Sequence, residues 1–162
     1  MAKRNLQEAL EQVEMTYAEL IPIANNMTEE LFKPANMIIA RIEGKINTLS
    51  NDQIRDYMIE LGMKSFTLSE IREKAALKAR CSEALKREAH ATNFILSDGS
   101  QGTKENKAIL EVSNEVIAEA LYDLVSGLFR SKTDEIHRFV DILKTVLMSR
   151  MSDAKLTTNA ID

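Results

Sequence analysis

The sequence predicts an all-α protein, a bundle built on a hairpin of long helices. Three observations carry that expectation. Apolar residues recur at spacings of three and four, the seam of a helix packed on another helix. Aromatic residues make up only 5% of the 162 residues, and Pro and Gly together number seven, a balance that favours helices over sheets. From Thr67 onward neither Gly nor Pro interrupts the chain until Gly99.

In chain order, Leu6, Leu10, Val13, Tyr17, Leu20 and Ala24 form the first seam, and Pro22 is expected to bend or end that helix. Thr28 followed by Glu29 and Glu30 reads as a fresh N-terminus, with Ile39, Ile42, Ile46 and Leu49 as the apolar stripe behind it and Pro34 in its first turns. Ser50-Asn51-Asp52-Gln53 is a capping box for a short helix carrying Ile54, Met58 and Leu61, which Gly62 ends. A second capping box, Thr67-Leu68-Ser69-Glu70, opens a long helix from about Leu68 to Ile95. The segment Ser97–Gly102 breaks it. Thr103 caps the next helix, whose seam runs through Leu110, Ile117, Leu121, Leu124 and Leu128; Asn114 stands in that seam, either to fix register or simply to face water. Gly127 and Ser131-Lys132-Thr133 are candidates for a kink before the last helix, with Ile136, Val140, Leu143 and Leu147. The expected organisation is an N-terminal helical segment over 1–66, a core hairpin with a C-terminal helix over 67–151, and a flexible tail over 152–162. Seams this long exceed what one chain covers, so self-association is expected.

Net charge is −4, so attraction to a polyanion must come from a local patch. The lone cysteine, Cys81, excludes an internal disulfide and fits a reducing cytosol, and no apolar run approaches a membrane span of ~18 residues. The reading is a soluble, cytoplasmic protein. Leu96–Asn106, LSDGSQGTKEN, holds two glycines and a lysine, but a phosphate-binding loop needs the order Gly-Lys-Thr after a strand. Here Gly102-Thr103-Lys104 is reversed and follows a helix, so the glycines are read as a turn. His90 and His137 lack a second ligand at i+3 or i+4, and Cys81 lacks a partner cysteine. No catalytic group, metal site or cofactor is expected, and the chain is not read as an enzyme.

Charge is separated along the chain. Between Lys64 and His90 seven basic residues (Lys64, Arg72, Lys74, Lys78, Arg80, Lys86 and Arg87) face four glutamates, whereas Lys104 to Asp123 carries five acidic against two basic residues. The basic helix is either a solvated face stitched by i,i+4 pairs or a track for a phosphate backbone. Within it Ala76-Leu77-Lys78-Ala79-Arg80, ALKAR, followed by a polar loop and further long helices, resembles the phage recombination-mediator family typified by UvsY. The resemblance spans about Ile71 to Arg150. It implies a helical protein assembled as an oligomeric ring that binds single-stranded DNA and helps a phage recombinase load onto strands covered by single-strand binding protein, in DNA recombination and repair. Carried over residue by residue, it makes Lys78 and Arg80 DNA contacts. Arg72, Lys74, Lys86 and Arg87 on the same helix are the further candidates. Residues two apart point to nearly opposite sides of a helix, so both can touch DNA only if the strand wraps or the helix is clasped. The alternative is a structural or adaptor bundle in which the basic helix only meets the acidic one.

Overall fold

The computed structural model describes the backbone of residues 6–111 and 113–159, and their side chains apart from those of 6–10, 12, 13, 106, 109–111, 113 and 154–159. Four α-helices and one 3₁₀ turn account for it: α1 (Leu6–Ile42), the turn Ile46–Thr48, α2 (Asn51–Leu96), α3 (Gln101–Glu111) and α4 (Ser113–Asn159). Among the described residues there is no strand, so the chain is all-α, and no helix is long and apolar enough to cross a membrane.

α1, α2 and α4 are longer than local signals predict, whereas the single helix expected from Thr103 through Leu128 is divided between α3, which ends at Glu111, and α4, which starts at Ser113. α1 passes Pro22 and Pro34 without a break. A proline deprives the carbonyl four residues earlier of its donor. Those carbonyls belong to Ala18 and Glu30, and both residues and both prolines are exposed, so water takes the missing bonds. Thr28 does not start a helix. Its hydroxyl donates to the Ala24 carbonyl at 3.0 Å, which satisfies a buried Thr inside a continuing helix. Thr67 does the same toward the Met63 carbonyl at 3.1 Å, so the expected second capping box is no boundary and α2 runs through both it and Gly62. The first capping box is real: the Ser50 amide donates to Gln53 Oε1 at 2.9 Å and the Gln53 amide to Ser50 Oγ at 3.2 Å. At the hairpin the start moves three residues earlier than expected, because the Ser100 carbonyl accepts from the Thr103 and Lys104 amides. Gly99 before it sits at φ +124°, where a Cβ would also press on the Thr103 side chain at 3.2 Å. Past Gly127 and Ser131–Thr133 α4 continues unbroken, and its helix extends over the expected tail to Asn159.

The chain divides into two compact units, Met1–Thr28 with Arg72–Leu128 and Glu29–Ile71 with Phe129–Asp162. In the second unit Ile38, Ile42, Ile54, Leu61, Leu68, Phe129, Ile136 and Leu143 are buried together, and Phe32 meets Phe129 edge-on at 5.1 Å. Ser65, buried on α2, hydrogen-bonds His137 Nε2 of α4 at 2.7 Å. Arg150 closes the end of this unit. Its guanidinium donates to the carbonyls of Leu49 (2.6 Å), Ile46 (3.0 Å) and Asn47 (3.1 Å), which belong to the connection between α1 and α2. Among the described residues the first unit buries Leu20, Ala24, Thr28, Ala75, Ala79, Ala108 and Val125.

Several seam positions differ from the sequence reading. Tyr17, Ile117 and Asn114 are exposed in this chain, so Asn114 takes the water-facing alternative; Leu6, Leu10, Val13 and Leu110 have side chains outside those described. On α4 Ile136 and Leu143 are buried as expected, and Val125, Phe129 and Thr133 extend the buried line in place of Ile117, Leu121, Leu124 and Leu128.

The Arg150 clamp is testable. Arg150→Ala is expected to lower stability by about 1–3 kcal/mol, since three loop carbonyls lose a charged donor. Arg150→Lys is expected to restore less than half of that, lacking the forked geometry. Urea unfolding followed by circular dichroism checks both through the midpoint at unchanged slope.

Candidate nucleic-acid interface

All six predicted DNA-binding residues lie on α2 in the first unit, and burial of Ala75 and Ala79 on one side of the helix sets their directions. At ~100° per residue, Arg72, Lys86 and His90 fall close to the Ala79 line, whereas Lys78 and Arg80 project from its two flanks. Leu77, Cys81, Ala84 and Leu85 lie on the outward side between those flanks, all exposed.

This rotation separates the cations. Lys86 reaches Glu119 of α4 and forms an ion pair whose side chains are only 29% and 24% exposed. His90 Nε2 lies 3.3 Å from Glu105 Oε1 of α3. Arg72 pairs with Glu73 at 2.6 Å and Arg87 with Glu83, both on α2 itself. Lys74 is exposed and engaged within the chain. Lys78 and Arg80 remain. Lys78 extends its ammonium over the Tyr122 ring of α4, 5.3 Å from the centroid, an interaction that steadies the charge without neutralising it. Arg80 is exposed with no ion pair or hydrogen bond among the described residues.

The expected meeting of the basic helix with the acidic one thus occurs, with α2 and α4 antiparallel: residue 78 stands by 122 and 86 by 119. It consumes Lys86 and His90 and spares Lys78 and Arg80. The side chain of Glu111, counted with the acidic helix, is outside those described. Tyr122 is the member of the site that residue-by-residue reading misses. Reflection of an antiparallel hairpin about Ser100 would have placed it opposite Lys78. Within the loop Lys107 donates to the Asp98 carbonyl at 3.4 Å, and Ser100 Oγ and Thr103 Oγ1 bond each other at 3.0 Å.

No family model, curated protein or solved structure matches this chain.

The Lys86–Glu119 pair ties α2 to α4 beneath the site, and its removal has a definite sign. Lys86→Ala alone strands a half-buried carboxylate and is expected to cost about 1–3 kcal/mol, whereas Lys86→Ala with Glu119→Ala costs less than the two single changes added. A double-mutant cycle by urea unfolding measures that coupling.

Proposed function

We propose that this chain binds single-stranded DNA across the outward face of α2, between Lys78 and Arg80, and serves as a recombination mediator. One observation carries the reading. Of the six candidate cations, the two in the ALKAR segment are those left exposed and without a carboxylate among the described residues. Ala79 between them is buried, so they border the same outward strip from opposite edges. A strand laid across that strip meets a cation on each side and touches Leu77 and Leu85, each 59% exposed, as an apolar floor for bases. That geometry supports a wrapped or clasped contact, the arrangement that a pair of residues two apart requires.

Two phosphate contacts from one chain give weak binding. Assembly as an oligomeric ring would repeat the site along one strand and raise affinity through effective concentration. Within the resemblance to the UvsY-type mediators, such a ring hands the strand from single-strand binding protein to a recombinase. Backbone contacts carry no sequence information, so affinity should follow salt and not base order.

A second reading is favoured by the Lys86–Glu119 ion pair, which neutralises part of the basic helix inside the chain, and by the His90–Glu105 contact beside it. In it the protein is an adaptor or structural bundle that binds no DNA.

Fluorescence anisotropy with labelled oligonucleotides separates the two. The wild-type chain is expected to bind oligo-dT and a mixed-sequence strand alike. Lys78→Ala with Arg80→Ala should weaken binding about tenfold or more and flatten the salt slope by about 1.4 per site, two phosphates at about 0.7 each. Tyr122→Phe keeps the ring and should leave affinity unchanged. Absence of binding at low salt, or binding indifferent to the double change in a folded protein, decides for the adaptor.

A further inference from the structure

Two surfaces of the second unit carry charges that find no partner among the described residues of their own chain. The first is a groove of about 300 Å³ between α1 and α2. In it Lys33 is spent on Glu30 at 3.3 Å, whereas Arg41, Glu60 and Lys64 make no ion pair or side-chain hydrogen bond among the described residues. Met37, 49% exposed, stands on the α1 wall with Arg41. The second surface is the outward ridge of α4. With Ile136 and Leu143 buried, Asp134, Arg138 and Asp141 project from the other side of that helix, all exposed and likewise without an ion pair or side-chain hydrogen bond among the described residues. Lys132 and Glu135 beside them pair with each other at 2.7 Å. Groove and ridge face apart. Ser65 turns to His137 of α4, while Glu60 and Lys64, ~100–140° away around α2, turn to α1. A chain therefore cannot bring its own ridge to its own groove, but a second copy can.

The charges match in kind and in spacing. In the groove Glu60 stands four residues before Lys64 on α2, with Arg41 across from them on α1; on the ridge Asp134 stands four residues before Arg138, with Asp141 three further on. We propose that the groove receives the α4 ridge of a second copy of this chain, running antiparallel to α2. Lys64 then meets the second copy's Asp134, Glu60 its Arg138, and Arg41 its Asp141, so that every unpaired charge faces its opposite. His137 marks the side of α4 that faces α2, and Ile142, 50% exposed, lies on the other side of the ridge, where this direction sets it against Met37 of α1. The reverse direction would carry Ile142 to the α2 wall, away from Met37. Because groove and ridge are unlike surfaces, the contact joins copies head to tail. Alternating charge fixes register and excludes wrong partners more than it adds strength, so the association depends on concentration and on salt. The contact uses neither Lys78 nor Arg80 and stands without the DNA reading.

Sedimentation velocity without DNA tests it. The wild-type mass is expected to rise with protein concentration and to fall with added salt. Glu60→Arg and Arg138→Glu should each weaken self-association about tenfold or more with helix content unchanged. An equimolar mixture of the two variants should recover it, because every groove then finds a ridge of matching charge. In a Cys81→Ser background, Met37→Cys with Ile142→Cys should give a ladder of disulfide-linked multimers on mild oxidation, whereas either change alone should give none. A chain monomeric at all concentrations, masses indifferent to both charge reversals, a mixture no better than its components, or cross-linking through a single introduced cysteine overturns the proposal. None of these readouts depends on Lys78 or Arg80, so failure here leaves the DNA reading standing, and the reverse.

Discussion

The candidate site depends on one constraint, the rotation of α2 about its own axis. Burial of Ala75 and Ala79 fixes that rotation in the first unit. Once those methyl groups face inward, helical geometry decides the fate of every neighbouring cation. Lys86 falls near the inward line and must find a carboxylate, because a half-buried ammonium without one is costly; Glu119 supplies it. Lys78 and Arg80, each ~100° from Ala79, are turned to the edges of the exposed surface. From one of those edges Lys78 reaches the Tyr122 ring of α4. Structural ion pairing and residual positive charge are therefore consequences of a single packing choice.

The residues described as buried differ between the two units. Ile54, Leu61, Phe129, Ile136 and Leu143, each contributing roughly 1.5–3 kcal/mol on burial, lie in the second, while Ala75, Ala79 and Ala108 lie in the first beside Leu20 and Val125. The Tyr122 ring beside Lys78 steadies the direction of that cation within the first unit.

How much of this was legible in the sequence depended on whether a signal was local. The all-helical class, the capping box at Ser50–Gln53 and the start of the break at Ser97 were readable because each is satisfied by its own neighbours, although the break expected over Ser97–Gly102 ends two residues sooner. Thr28 and Thr67 misled for a physical reason. A threonine hydroxyl satisfies itself equally by capping an amide or by bonding the carbonyl four residues back, so buried Thr28 and exposed Thr67 both sit inside a continuing helix. Pro22, Pro34 and Gly62 are genuine local penalties that packing along the opposite face overrides. In the site, the set of six cations was readable from composition, but not which of them are spent. Partners on α2 itself, such as Glu83 for Arg87, are visible at i,i+4 spacing. Glu119 and Tyr122 come from 33 to 44 positions away and appear only once the hairpin register is known.

A helix apolar on one side is amphipathic, and its periodicity tells the reader where the core lies. α2 breaks that rule because Ile54 and Leu61 point one way while Ile59, Met63 and Phe66 point the other. Apolar residues spread around the circumference cancel in any periodic sum, so the segment reads as weakly helical or interrupted, and Gly62 strengthens that impression. Helical propensity argues against that glycine, a Cβ there would meet nothing within 4 Å, and its φ is not positive, so α2 carries Gly62 as a local penalty that burial of Leu61 and Leu68 on the other side of the helix offsets.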